Sequence, residues 1–217
     1  MTTADILGRI KQDLDDPGTT WTDEDLYDSL QDGYEEIAFY TDCIQKVVEL
    51  PFTSYTYVNI RTSVPDYYRP MAIWDRNQKA FLEPKYQKDV ELCDEKWELA
   101  GGSPIYFTPC GLDYISFYPH YSATPTLGYY FFYHALAGDI TSSASLEIPQ
   151  NCRRVAVDYV VNDLLDQTLE FKKAQTFYQK YLEGLERTRK EVERTSRADR
   201  IQAMMMRYAG NIRRLSY

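Results

Sequence analysis

The sequence predicts a mainly α protein with a β insertion, an α+β fold in which a helical bundle carries a Tyr-rich antiparallel sheet or sandwich and ends in an extended C-terminal tail. Three observations predict it. Apolar residues recur at helical spacing at both ends, the stretch between them is β-branched and aromatic, and the charge changes sign near residue 171. The expected segments are 1–50 (first bundle helices), 51–148 (β insertion), 149–195 (last bundle helices) and 196–217 (docking tail).

Ile6, Leu7, Ile10 and Leu14 fall on one helical face, and Asp16-Pro17-Gly18 stops that run. Thr22 suits an N-cap, with Asp23, Glu24 and Asp25 in the first turn where they complement the helix dipole. Leu26, Leu30, Gly33, Ile37, Tyr40 and Ile44 continue the stripe, which predicts a helix over 22–46.

Strand texture follows in 53–61, 69–75, 105–108, 114–118 and 126–134, with Pro and Gly between the runs. Twelve of the 20 tyrosines lie within 52–148, so aromatic area dominates this part. Asp89 to Leu99 is the exception, where Val90, Leu92 or Cys93 and Trp97 suit a short helix ended by Gly101-Gly102. Pro149 then reopens helix. Val157, Val160, Val161, Leu164 and Leu165 make 155–169 the segment expected to be most buried. After a break at Phe171-Lys172-Lys173, residues Ala174, Phe177, Tyr178, Tyr181, Leu182 and Leu185 define a last amphipathic helix, supported by Glu183→Arg187 and Glu186→Lys190 spacing.

With 44% hydrophobic and 15% aromatic residues in 217, the chain has a globular composition. No apolar run reaches the ~20 residues of a membrane helix; the best, 126–138, is shorter and interrupted by His134. The opening residues lack the basic and apolar regions of a signal peptide, an expectation of a cytosolic origin. Cys43, Cys93, Cys110 and Cys152 form no C-x-x-C pair, so reduced thiols are expected. Residues 1–171 hold 12 Lys/Arg against 28 Asp/Glu, whereas 172–217 hold 12 against 5. An acidic body of this kind argues against broad nucleic-acid binding, which needs cationic surface.

Motifs for phosphate binding, dinucleotide binding, zinc proteolysis and serine hydrolysis are absent. His120 and His134 could meet across a sheet, but a zinc site needs three or four ligands and none is spaced beside them. Acidic pairs such as Glu35-Glu36, Glu83 with Asp89, and Asp94-Glu95 could form a glycosidase dyad, yet 33 carboxylates make such pairs by chance. No catalytic residue, metal site or cofactor is expected. A second class, a non-enzymatic carbohydrate- or protein-binding module, would use the tyrosines of the β region.

The tail carries the most unusual pattern. Ala198, Ile201, Met205, Tyr208, Ile212 and Leu215 recur at steps of three and four. Met204 adds adaptable apolar surface, and Arg197, Arg200, Arg207, Arg213 and Arg214 fill the remainder without a single lysine. A solvated end, a segment that docks on another protein, and a contact with membrane or nucleic acid all fit this pattern.

The order of these features resembles the head-to-tail adaptor, or connector, proteins of tailed bacteriophages. The resemblance rests on Ala4-Asp-Ile-Leu-x-Arg-Ile, Asp15-Asp-Pro-Gly-Thr-Thr-Trp21-Thr-Asp-Glu-Asp-Leu26 and Asp32-Gly33-x-x-Glu36-Ile37. It continues through Trp97, Gly102-Ser-Pro104-x-Tyr106, Ile115-x-Phe117-Tyr-Pro119, the aromatic 127–133 run and Leu146-x-Ile148-Pro149, covering about residues 4–185. It implies a structural virion protein at the head–tail interface, assembled in the host cytoplasm, without enzymatic activity. About a dozen copies, 12 in the expected ring, would sit beneath the portal protein and extend the channel, through which DNA passes without specific binding. A tail, nozzle or stopper protein would attach below, no membrane would be involved, and the C-terminal segment would dock on the portal or a neighbouring copy.

Overall fold

A computed structural model describes residues 2–16, 20–50, 57–121, 127–141 and 146–194. Along the chain they form α1 (Thr3–Leu14), α2 (Asp23–Thr41), β1 (Gln45–Leu50), β2 (Tyr57–Asn59), the single turn α3 (Ile60–Ser63), β3 (Tyr67–Asp75), β4 (Ala80–Pro84) and α4 (Gln87–Cys93). Then come β5 (Tyr106–Cys110), β6 (Tyr114–Tyr118), β7 (Tyr129–Ala135), α5 (Arg153–Gln167) and α6 (Phe171–Arg194). The chain divides into two compact units, a helical one running to Ile44 and resuming at Leu136, and a β-rich one spanning Gln45–Ala135.

In the helical unit, capping boxes set both early helices. Thr2 and Asp5 exchange bonds at the start of α1, and Thr22 and Asp25 do the same for α2. Bonds donated by the Thr22 hydroxyl and backbone hold the Asp25 carboxyl below its ordinary value, because they favour the ionised form. Each helix ends on an aspartate in the left-handed region, Asp15 at φ 55° and Asp42 at φ 54°. The helix expected to reach 46 therefore stops at Thr41. Beyond the reversal at Asp42, residues 45–50 pair as a strand with β7, so tertiary pairing overrides the apparent helical stripe at Ile44.

Leu30, Ile37, Val160 and Leu164 are all buried, and α5 is the hub against which α1, α2 and α6 pack. Its burial on nearly every side, including Asp158, matches its unbroken apolar pattern. The expected break before α6 falls at 168–170, where Leu169 takes φ 63°. Gly33 lets α2 approach α5 closely, since a Cβ there would lie 2.5 Å from Cδ1 of Tyr159.

The β unit is one curled, mixed seven-stranded sheet in the order β1-β7-β3-β4-β5-β6-β2. All neighbouring pairs are antiparallel except β4 and β5, which run parallel. A parallel pair needs a long crossover, and residues 85–105, with α4 and a 3₁₀ turn at Trp97–Leu99, supply it. The short helix expected over 89–99 is thus two pieces, with Val90 and Trp97 buried and Leu92 and Cys93 exposed. Strand β7 lies between β1 and β3, and its Phe131, Phe132, Tyr133 and His134 are all buried. The first strand expected at 53–61 shortens to β2, since Ile60–Ser63 turns helically; residues 53–56 lie outside the described residues.

Candidate interaction surfaces

The tyrosines of the β unit divide between core and surface. Tyr67, Tyr129 and Tyr133 are buried, with Tyr129 stacked on Phe117 at 4.6 Å. Burial pushes the Tyr67 phenol up to about 12. Tyr121 donates to the fully buried Asp75, which also accepts from the backbone of Asn77 and Gln78 and from the Gln78 amide. That carboxylate pins the β3–β4 turn, a structural task. Among its described residues Tyr57, Tyr86 and Tyr114 are the exposed tyrosines.

Exposed aliphatic residues accompany them. Leu92, Leu99 and Leu112 are each more than three-quarters exposed, at 77%, 79% and 76%. Leu112 caps the three-residue β5–β6 hairpin, whose Gly111 takes φ 68°. The Gly-Leu-Asp turn carried this signal in the sequence, because an apolar residue at a hairpin tip has no core to enter. Leu92 was an apolar-side candidate only because one continuous helix was expected over 89–99.

The helical unit presents two contrasting helices. On α2, Glu24, Asp28, Asp32 and Glu35 follow one another at steps of four, four and three, all exposed, and Phe39 continues the line at 52% exposed. Tyr40, expected in the core stripe, is exposed and packs edge-on against Phe39 at 5.5 Å. Helix α2 carries seven acidic residues and no basic one. Among the described residues no Lys or Arg pairs with Glu24, Asp28 or Asp32.

Helix α6 inverts the pattern, with seven Lys/Arg against four Asp/Glu and no acid in its first turn. Its buried line is Ala174, Tyr181 and Thr188. Phe171, Tyr178 and Leu182 stand exposed, although the amphipathic pattern placed the last two in the core. Tyr181 joins the two helices by donating to Glu36 at 2.7 Å, and burial raises its phenol far above the ordinary range. Tyr159 and Tyr178 pack on the Tyr181 ring at 5.3 and 6.4 Å.

The candidates for chemistry are dispersed or occupied. His134 stands between Gln45 and Arg69 in the ladders, while His120 bridges Gly101, so the two do not converge. Glu35 accepts from Gln31 and Glu36 from Tyr181, and Asp94 accepts from Tyr118 and the Lys96 backbone. Among the described residues no group of three His, Cys, Asp or Glu could hold a metal, and no helix is long and apolar enough to cross a membrane. The expected docking residues from Arg197 to Leu215 lie outside the described residues.

No curated protein matches the chain. The family model described as SU10 adaptor protein matches residues 1–207, nearly its full length. The chain belongs to that family, a phage adaptor family, which makes it a structural component of a virion and points away from catalysis.

Proposed function

We propose that this member of the SU10 adaptor family forms a ring of about a dozen copies beneath the portal, extends the DNA channel and provides the platform for the tail. The single observation that carries this reading is the family match across residues 1–207. The physical features support it. An acidic body repels duplex DNA mildly and lets it slide through, since phosphate binding requires cationic surface. The division into a helical unit and a β unit lets one build the ring while the other, with Leu112, Tyr57 and Tyr114 exposed, offers apolar and hydrogen-bonding area to the tail.

The C-terminal segment completes the reading. Its apolar stripe, Ile201, Met205, Tyr208, Ile212 and Leu215, buries against the portal, and Arg207, Arg213 and Arg214 meet carboxylates there. One weak contact per copy becomes strong when repeated around a ring. The test is electron microscopy of the full chain mixed with its cognate portal. Rings coaxial with the portal are expected; free chain beside bare portals would overturn the reading.

A further inference from the structure

Two helices of the helical unit carry exposed charge of opposite sign without an ion-pair partner among the described residues, and each also carries exposed aromatic side chains. In α2 the acidic line runs past the N-terminal turn into the C-terminal half, at Asp32 and Glu35, with no base in the last turn. Carboxylates on that line repel one another at steps of three and four. Phe39 and Tyr40 follow directly, both exposed. In α6 the first turn holds Lys172 and Lys173 and no acid, so cations sit at the positive end. Lys173 is answered by Glu170, but Lys172 pairs with no carboxylate among the described residues. Phe171, Tyr178 and Leu182 are exposed on the same helix. Among the described residues no Lys or Arg pairs with Asp32 or Glu35, and no carboxylate pairs with Lys172. Each has what the other lacks.

We infer that copies of this chain dock side by side, with Asp32, Glu35 and Phe39 of α2 in one copy set against Lys172, Tyr178 and Leu182 of α6 in the next. The contact joins two different faces, so it is heterologous and propagates into a ring when the rotation closes. The apolar residues supply buried area, and the opposed charges fix register and exclude the α2–α2 and α6–α6 pairings. This contact rests on the adaptor reading and names the partner surface within the ring.

Two full-length variants test it, Asp32→Lys/Glu35→Lys and Lys172→Glu, each with cognate portal. All three positions are exposed, and circular dichroism checks that both variants fold. Like charges then face each other at every contact in either variant alone, and the concentration needed for rings should rise at least about tenfold. Mixed in equal amounts, the variants can alternate, because each reversed face meets the complementary face of the other. Rings should return with 1:1 composition by native mass spectrometry. If each variant alone forms rings as wild type does, or if the mixture does no better than either, the contact is wrong while the adaptor reading stands. Variants that form rings but lose the portal would assign these faces to the portal and overturn the inference. Wild-type chain that never assembles, with or without portal, would overturn both.

Discussion

Gly33→Ala should destabilise the helical unit although alanine is the better helix former. The new Cβ would stand 2.5 Å from Cδ1 and 2.9 Å from Cγ of Tyr159, so with ordinary carbon contacts at ~3.5–4.0 Å the ring must retreat by about 1 Å. Because Cγ is the root of the ring, rotation at the far end gives no relief; χ1 must change or α2 must lift from α5. Either movement strains the edge-on contact of Tyr159 with Tyr181 at 5.3 Å. Overpacking costs ~1–3 kcal/mol and a weakened aromatic pair ~0.5–1.5 kcal/mol, against a propensity gain of ~1 kcal/mol. The net loss should be about 1–3 kcal/mol in a urea titration followed by circular dichroism. Gly8→Ala is the control, since Gly8 lies in α1 with nothing within 4 Å of its added Cβ. It should gain ~0.5–1 kcal/mol. In a Tyr159→Ala background the Gly33→Ala penalty should vanish and become a gain of similar size. A Gly33→Ala protein as stable as Gly8→Ala would refute the close approach of α2 to α5.

Leu164→Ala, at the buried hub of α5, should cost ~2–5 kcal/mol in the same titration; a change within noise would remove α5 from the core. A thiol reagent at pH 8 should label Cys93, which is exposed, and leave Cys43, whose thiol burial pushes up to about 11; early labelling of Cys43 would contradict its packing. The Asp25 carboxyl is held below its ordinary 3.8, so its contribution is full above that pH and is lost as pH falls through the lowered value; Asp25→Asn should flatten that acid limb of the stability curve. Replacing Gln45–Ala135 with a short linker should spare portal docking and abolish tail attachment, giving DNA-filled heads without tails by electron microscopy. Ending the chain after Thr195 should leave a soluble domain that no longer binds portal in a pull-down, and undiminished binding would make the arginine-rich segment a solvated end.

The helical unit was largely legible because its signals are local. Thr22 caps α2 as its sequence indicates, and the all-round apolar run of α5 is the buried hub. The misreadings came where a pattern fits two structures. Ile44 continues the four-and-three stripe of α2, but Asp42 reverses the chain and Val47-Val48 pair with β7. Strand β4, Ala80–Pro84, left no mark, since its AFLEP sequence ends in Glu83 and Pro84 and buries only Leu82. Tyr178 and Leu182 fit the apolar face of α6 by spacing, yet only Ala174, Tyr181 and Thr188 are buried, because α5 and α2 cover a narrower strip than the amphipathic arc. The acidic line of α2 was visible as composition. That it remains unanswered within the described chain required the structure.

The most direct measurement is the mass and symmetry of the full chain bound to its cognate portal, by native mass spectrometry and electron microscopy of the same sample. A single closed ring of about a dozen copies coaxial with the portal is the predicted result. Monomers or dimers scattered on the portal, without closure, would contradict it.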